Sequence, residues 1–101
     1  MKKTYTERYI KIKIKGPLSI VTGEKLEVPA DKAGKISELH KYLIDNYMDR
    51  AVKEGLGEVL ERLDSQNLIL VNGREISALK GIDTEINPGD EIVILNYTHG
   101  G

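Results

Sequence analysis

The chain has 101 residues, which suits one compact domain and leaves no room for a second. Lys plus Arg total 15 and Asp plus Glu 16, so a net charge of -1 supplies no overall field to gather nucleic acid or an anionic membrane. Apolar residues at 40% and charged residues at 31% describe a globular chain rather than a disordered one, and the lack of Cys excludes a disulfide framework, a Cys-ligated metal and a Cys nucleophile.

The segment from Arg8 to Lys15 alternates Ile10, Ile12 and Ile14 with Lys11, Lys13 and Lys15. A period of two predicts a strand with one face in a core and the other in water. Gly16-Pro17 stops it, because Pro has no N–H for a ladder and Gly tolerates the turn. Lys25 to Val28 alternates again, with Leu26 and Val28 inward and Pro29 closing the strand. The first quarter therefore reads as a β-hairpin with an elaborate loop over Leu18 to Glu24.

From Lys35 to Met48 the period changes. Ile36, Leu39, His40, Leu43, Ile44, Tyr47 and Met48 recur at three- and four-residue steps, the mark of an amphipathic helix with one buried stripe and Gly34 as a weak N-cap. Gly55 and Gly57 interrupt the helical character beyond it, at about 1 kcal/mol each relative to Ala. A helical stretch over Ala51 to Glu54, a short second helix near Glu58 to Leu63 and a loop over Asp64 to Asn67 are expected.

Leu68 to Val71 reads as a short central strand, and Asn72-Gly73 is a strong two-residue hairpin signal leading to a return strand over Arg74 to Ser77. Asn87-Pro88-Gly89-Asp90 is a tight turn. Glu91 to Tyr97 is the last strand and is apolar on both parities, Ile92 and Ile94 on one and Val93, Leu95 and Tyr97 on the other. The order is thus β-β-α-(α)-β-β-β, one sheet under one main helix, an α+β arrangement. One parity, Val93, Leu95 and Tyr97 or the opposite one, would form part of an exposed partner-binding surface; the bland alternative is that the second helical segment folds over that face.

Catalytic constellations are missing. His40 lies on the apolar helix stripe without companion ligands and reads as a half-buried packing residue. Asp83, Asp90 and Glu91 lack Ca-loop spacing, and neither GxxxxGK nor GxGxxG occurs. Tyr5 and Tyr9 among basic residues suggest base stacking, but the near-neutral total charge argues against direct nucleic-acid binding. No apolar run exceeds four residues, Leu68 to Val71 and Ile92 to Leu95 being the longest, so neither a membrane span nor a signal-peptide core is expected even though Lys2 and Lys3 resemble an n-region. A cytoplasmic protein is expected.

The sequence ends in Thr98-His99-Gly100-Gly101. A Gly pair without Cβ atoms can lie extended in a slot too narrow for other residues, which suits delivery of the terminus into another protein's active site. A C-terminal carboxylate has a pKa of about 3.5 and is a poor electrophile at neutral pH, so it must be activated before anything attacks it. Its attack on the α-phosphate of ATP gives an acyl-adenylate, which a sulfur donor converts to a thiocarboxylate or a lysine to an amide. The chain has no motif for that activation and would be the substrate and carrier, not the enzyme. It binds no cofactor and no metal in this reading; the ATP is used by the partner enzyme.

The runs Leu70-Val71-Asn72-Gly73, Gly81-Ile82-Asp83-Thr84, Pro88 to Ile94 and Gly100-Gly101 resemble those of the ubiquitin-like β-grasp sulfur carriers. That family includes the molybdopterin synthase small subunit and the thiazole-synthesis carrier, and the His-Gly-Gly ending is similar to the ubiquitin-related modifier branch. The resemblance implies a β-grasp domain over 1–97, with a mixed sheet of four or five strands on one main helix plus a short second helix, and a flexible diglycine tail over 98–101. It implies Gly101 and Gly100 as the reactive end, adenylated and then thiocarboxylated, with Thr98 and His99 inserting into the partner. The implied partners are an adenylating enzyme of the ubiquitin-activating type, a sulfur-accepting enzyme (a tRNA thiolase or the molybdopterin synthase large subunit) and target-protein lysines. Sulfur transfer to tRNA thiolation comes first; molybdopterin synthesis is the alternative, weakened by His99. A non-covalent β-grasp interaction module is the rival of another class.

Overall fold

The computed structural model describes residues 8–96. Tyr97, Thr98, His99, Gly100 and Gly101 lie outside the described residues, and with them the expected tail and part of the expected partner surface. Five strands form one mixed sheet: β1 (Tyr9–Lys15), β2 (Lys25–Pro29), β3 (Leu68–Val71), β4 (Arg74–Glu75) and β5 (Glu91–Leu95), in the spatial order β2-β1-β5-β3-β4. β1 and β5 run parallel, and every other neighbouring pair is antiparallel. One long helix, α2 (Ile36–Lys53), crosses the sheet, with three short helices beside it: α1 (Ser19–Thr22), α3 (Gly57–Glu61) and α4 (Leu63–Gln66). The β-grasp architecture is the expected one.

The alternation in β1 does what its period predicts. Ile10, Ile12 and Ile14 are buried while Lys11, Lys13 and Lys15 are exposed. Ile12 faces Ile92 and Ile14 faces Ile94 across the parallel pair, and Ile94 faces Ile69 across the next. These rows meet Ile36, Leu39, Leu43 and Ala51 of α2, so sheet and helix share one core. Tyr47 lies half-buried on the same helix. Burial, together with Tyr42, raises its phenol above the ordinary 10.0, so the stability tied to its neutral form is whole below pH 10 and fades as the pH rises past the folded pKa.

Several expectations need correction. β5, not β3, is the central strand, flanked by β1 and β3; its inward parity, Ile92 and Ile94, is fully buried, while its outward Val93 and Leu95 are only half-buried. α2 continues through Ala51 to Lys53, because Ala51 extends the buried stripe by one more turn. Its N-cap is Lys35 rather than Gly34, and no side chain caps it. The Ile36 N–H donates to the Thr84 carbonyl at 3.0 Å, and Glu38 reaches back to the Gly34 N–H at 3.0 Å. Leu18 to Glu24 contains the helical turn α1, and Asp64 to Gln66 is helical instead of a loop, drawn in by buried Leu63. The return strand is only Arg74–Glu75, because Ile76 turns into the core at a 3-10 turn over Ile76–Ala78.

The two turns near the start of β5 brace each other. Asn72 and Gly73 both have positive φ, 52° and 82°, as the hairpin signal requires. The Asn72 N–H donates to the Glu91 carbonyl at 2.8 Å, the Glu91 N–H donates to Asn72 Oδ1 at 2.9 Å, and Asn72 Nδ2 donates to Asp90 Oδ1 at 3.0 Å. Asp90 Oδ2 accepts from the Asn87 N–H at 2.7 Å. Truncating the fully buried Ile94 to Ala should lower the unfolding free energy by about 2–5 kcal/mol, whereas Ile20→Ala, at a position 58% exposed, should change it by about 0.5 kcal/mol or less; urea titration of the two variants measures both.

Candidate functional site

The parallel pairing of β1 and β5 brings the ends of both strands to the same end of the sheet. Ile14 and Ile94 share one register step, and Lys15 and Leu95 the next. Because β3 runs antiparallel to β5, its start at Leu68 lies at this end too. Asn96 follows Leu95, and its N–H continues the ladder by donating to the Lys15 carbonyl at 3.0 Å. The chain therefore leaves the sheet from the centre of one end, between β1 and β3.

The sheet face away from α2 is read directly from the register. One row carries Glu27, Lys11 and Glu91, and the next Lys25, Lys13, Val93, Leu70 and Glu75. The row nearest the exit carries Lys15, Leu95 and Leu68. Val93 and Leu95 are half-buried, as are Leu68 and Leu70 opposite them. Two of the expected surface residues thus sit together on the outer face; Tyr97 lies outside the described residues. Leu68 and Leu70 were missed as surface residues, although the unbroken Leu68 to Val71 run carried the signal once its alternate parity is considered. The second helical segment does not supply the cover that the bland alternative requires. Leu60 of α3 and Leu63 of α4 enter the core shared with α2.

Charge on this face is graded. The row far from the exit alternates sign, while towards the exit Lys13, Lys15 and Lys25 line one open groove with Gly16 and a single acid, Glu24. Lys13 lies 3.7 Å from Glu91 with both side chains more than half exposed, a contact of little energy.

Two buried asparagines close the core at the exit. Leu68 faces Leu95, so one step further on each strand stand Asn67 and Asn96, on the parity of Ile69 and Ile94. Their exposures are only 3% and 7%. Asn67 Nδ2 donates to the Leu63 carbonyl at 2.9 Å and to the Val59 carbonyl at 3.3 Å, and Asn96 Nδ2 donates to the Gln66 carbonyl at 2.8 Å. Carbonyl partners set the orientation of both amides, since the reverse would put oxygen against oxygen. Each Oδ1 is then buried with no donor among the described residues, a cost of about 1–3 kcal/mol apiece. Sequence reading passed over both residues, because a buried Asn and a loop Asn look the same in a string.

The remaining candidates resolve as structure. His40 Nε2 donates to the Leu60 carbonyl at 2.8 Å and ties α2 to α3, half-buried as expected. Asp90 is committed to the turn described above. Among the described residues no three His, Asp or Glu side chains are placed to hold a metal ion, and no helix is long and apolar enough to cross a membrane. The groove beside α2, lined by Asp31, Lys32, Glu38, Lys41, Tyr42, Asp45 and Asn46, holds no base-and-nucleophile arrangement, and Lys41 is paired with Asp45 at 2.8 Å.

No family model matches the chain. A protein of Archaeoglobus fulgidus named "Putative sulfur carrier protein" is 30% identical over 92 residues, covering 89% of this chain and 98% of the relative. The solution structure of small archaeal modifier protein 1 from Methanosarcina acetivorans is similar with a TM-score of 0.67 and 27% identity, covering 92% of this chain and 96% of that one. The solution structure of Urm1 from Trypanosoma brucei shares the fold with a TM-score of 0.62 at 22% identity, covering 93% and 96%.

If the asparagine pair closes the core as described, Asn67→Ala, which frees the Leu63 and Val59 carbonyls, should lower stability by about 1–2 kcal/mol in a denaturant titration.

Proposed function

The chain belongs to the ubiquitin-like sulfur carrier family, and we propose that it carries sulfur as a thiocarboxylate on Gly101. The observation that supports this most is the placement of the chain's exit: β5 ends in the centre of one sheet end, next to an outer face with half-open Leu68, Leu70, Val93 and Leu95. A partner seated on that face has the residues after Asn96 delivered directly into its reach. Five residues remain between Asn96 and the end of the sequence, at most about 17–18 Å when extended.

The chemistry follows from the carboxylate. The Gly101 carboxylate attacks the α-phosphate of ATP held by a separate adenylating enzyme, pyrophosphate leaves, and an acyl-adenylate results. Hydrosulfide supplied by a sulfur donor then attacks the acyl carbon, AMP leaves, and the thiocarboxylate remains. Gly100 and Gly101 fit a narrow channel in that enzyme, and Thr98 and His99 line its mouth. The protein acts throughout as carrier and substrate, working in the cytoplasm. The His99-Gly100-Gly101 ending favours tRNA wobble-uridine thiolation over molybdopterin synthesis as the destination. Conjugation to a target lysine uses the same activated end, with the amine displacing AMP. Similarity to a small archaeal modifier protein at 27% identity supports that second outcome.

The outer face also indicates what the activating enzyme presents. An apolar centre bounded by Lys13, Lys15 and Lys25 near the exit calls for an apolar patch with carboxylates on the matching edge.

Incubation with ATP, the cognate adenylating enzyme and a sulfur donor, followed by intact mass measurement, should show an AMP adduct and then an oxygen-for-sulfur replacement at the terminus. A chain that acquires neither refutes the carrier reading. Replacing Gly100-Gly101 by Ala-Ala should abolish both products; unchanged cell phenotype in that variant would favour the plain interaction module. Leu95→Glu should raise KM for adenylation about tenfold, the loss of one interface contact worth about 1.4 kcal/mol, and Lys13→Glu with Lys15→Glu should raise it further at low salt than at high salt.

A further inference from the structure

We infer that Asn96 is a positioning residue: clamped between Gly16 and Gln66, it sets the point and direction at which the chain leaves the sheet, and so presents the carboxyl for activation. The inference rests on the sulfur-carrier reading and adds to it a residue that the reading does not need.

Three contacts hold Asn96 from three sides. Its N–H donates to the Lys15 carbonyl at 3.0 Å, one step past the last paired residues of β1 and β5. Its Nδ2 donates to the Gln66 carbonyl at 2.8 Å, joining it to the last residue of α4 across a sequence separation of 30. Its own backbone presses on Gly16, where an added Cβ would stand 2.7 Å from the Asn96 carbonyl oxygen and 3.2 Å from the Asn96 Cβ. Gly16 adopts a φ of +99°, so a residue with a side chain is excluded there by conformation as well as by space. The strand end is therefore gripped by a backbone that has given up its Cβ to let it approach.

A strand end that served stability alone would be built differently. Asn96 has the parity of Ile94, Ile92 and the core, and an apolar residue there would bury cleanly. The chain instead places Asn at both facing positions, 67 and 96, and leaves two buried oxygens without donors. In some proteins buried polar groups are kept, against their desolvation cost, because they specify geometry, and that is the role assigned to this pair. Here the geometry specified is the last fixed point before the terminal residues: Asn67 secures α3 and α4 through Val59 and Leu63, and Asn96 fastens β5 to the end of α4. With the docking face one residue away at Leu95, the clamp fixes the point from which the terminal residues start relative to the docked surface. Reactions that depend on a carboxylate meeting an α-phosphate in line lose rate steeply when that starting point wanders.

The test uses the full-length chain with Asn96→Ala and with Asn96→Leu, which refills the buried volume but lacks the bond to the Gln66 carbonyl. Amide hydrogen exchange is followed at Leu95 and Asn96, alongside Tm and the kinetics of adenylation. In Asn96→Ala the amide at position 96 should exchange at least tenfold faster relative to that of Ile94. KM should stay at the wild-type value, because the docking face is intact, and kcat should fall about tenfold. Asn96→Leu should give the same split with Tm unchanged, which separates the clamp from a stability effect. A position-96 amide that remains protected in Asn96→Ala overturns the clamp. So does released protection with kcat unchanged, and so does a fall in Tm as the sole effect, which would make Asn96 a cap for α4 and nothing more. These outcomes are read with a wild-type chain that is adenylated. A wild-type chain that is not adenylated overturns the carrier reading, and the assigned role in activation falls with it.

Discussion

The parallel pairing of β1 and β5 is the constraint on which the rest depends. Neighbouring parallel strands cannot be joined by a tight turn, so the chain must leave the end of β1 and return to the start of β5 by a long crossover. Everything between Gly16 and Asp90 is that crossover: a hairpin strand, the covering helix, the short helices and a second hairpin. Because the first and last strands share the centre of the sheet, their isoleucines form the middle of the core. For the same reason β5 ends in the middle of one sheet end rather than at an edge, with neighbours on both sides.

This placement separates the two jobs of the last strand. Its inward parity, Ile92 and Ile94, holds the domain together, while its outward parity, Val93 and Leu95, stays half-open beside Leu68 and Leu70. A single five-residue strand is at once the structural axis and the centre of the available surface. The lysines of β1 divide in the same way. Lys11 stands in register with Glu27 and Glu91, whereas Lys15, next to the exit, stands in register with Leu95. The polar pair Asn67 and Asn96 lies where these two roles meet, and its two oxygens are the buried side-chain polar atoms left without a partner among the described residues.

Fold similarity and family membership bear on different claims. The likeness to Urm1 from Trypanosoma brucei concerns the architecture, which hosts many activities. The 30% identity to the Archaeoglobus fulgidus relative, over nearly the whole of both chains, is what places this chain among the sulfur carriers.

Patterning alone was enough for the five strands, the main helix and the class, but not for the short helices α1 and α4. The Ile-Lys alternation of β1, the three- and four-step stripe of α2 and the Asn72-Gly73 turn each express a local period or a local dihedral preference, and such signals survive without knowledge of what lies opposite. The terminal glycines and the runs around Leu70, Gly81 and Pro88 pointed to the family for the same reason: they are contiguous in the chain. Strand order was not accessible in this way. β3 looked central because it was wholly apolar, yet β5 holds the centre, since a strand's place in the sheet depends on the partners it pairs with, here β1 from the other end of the chain. The same limit hid Gly16 against Asn96, Asn96 against Gln66 and Leu68 against Leu95. Separations of 80, 30 and 27 residues are closed only by tertiary packing, and no local preference of either partner carries that information.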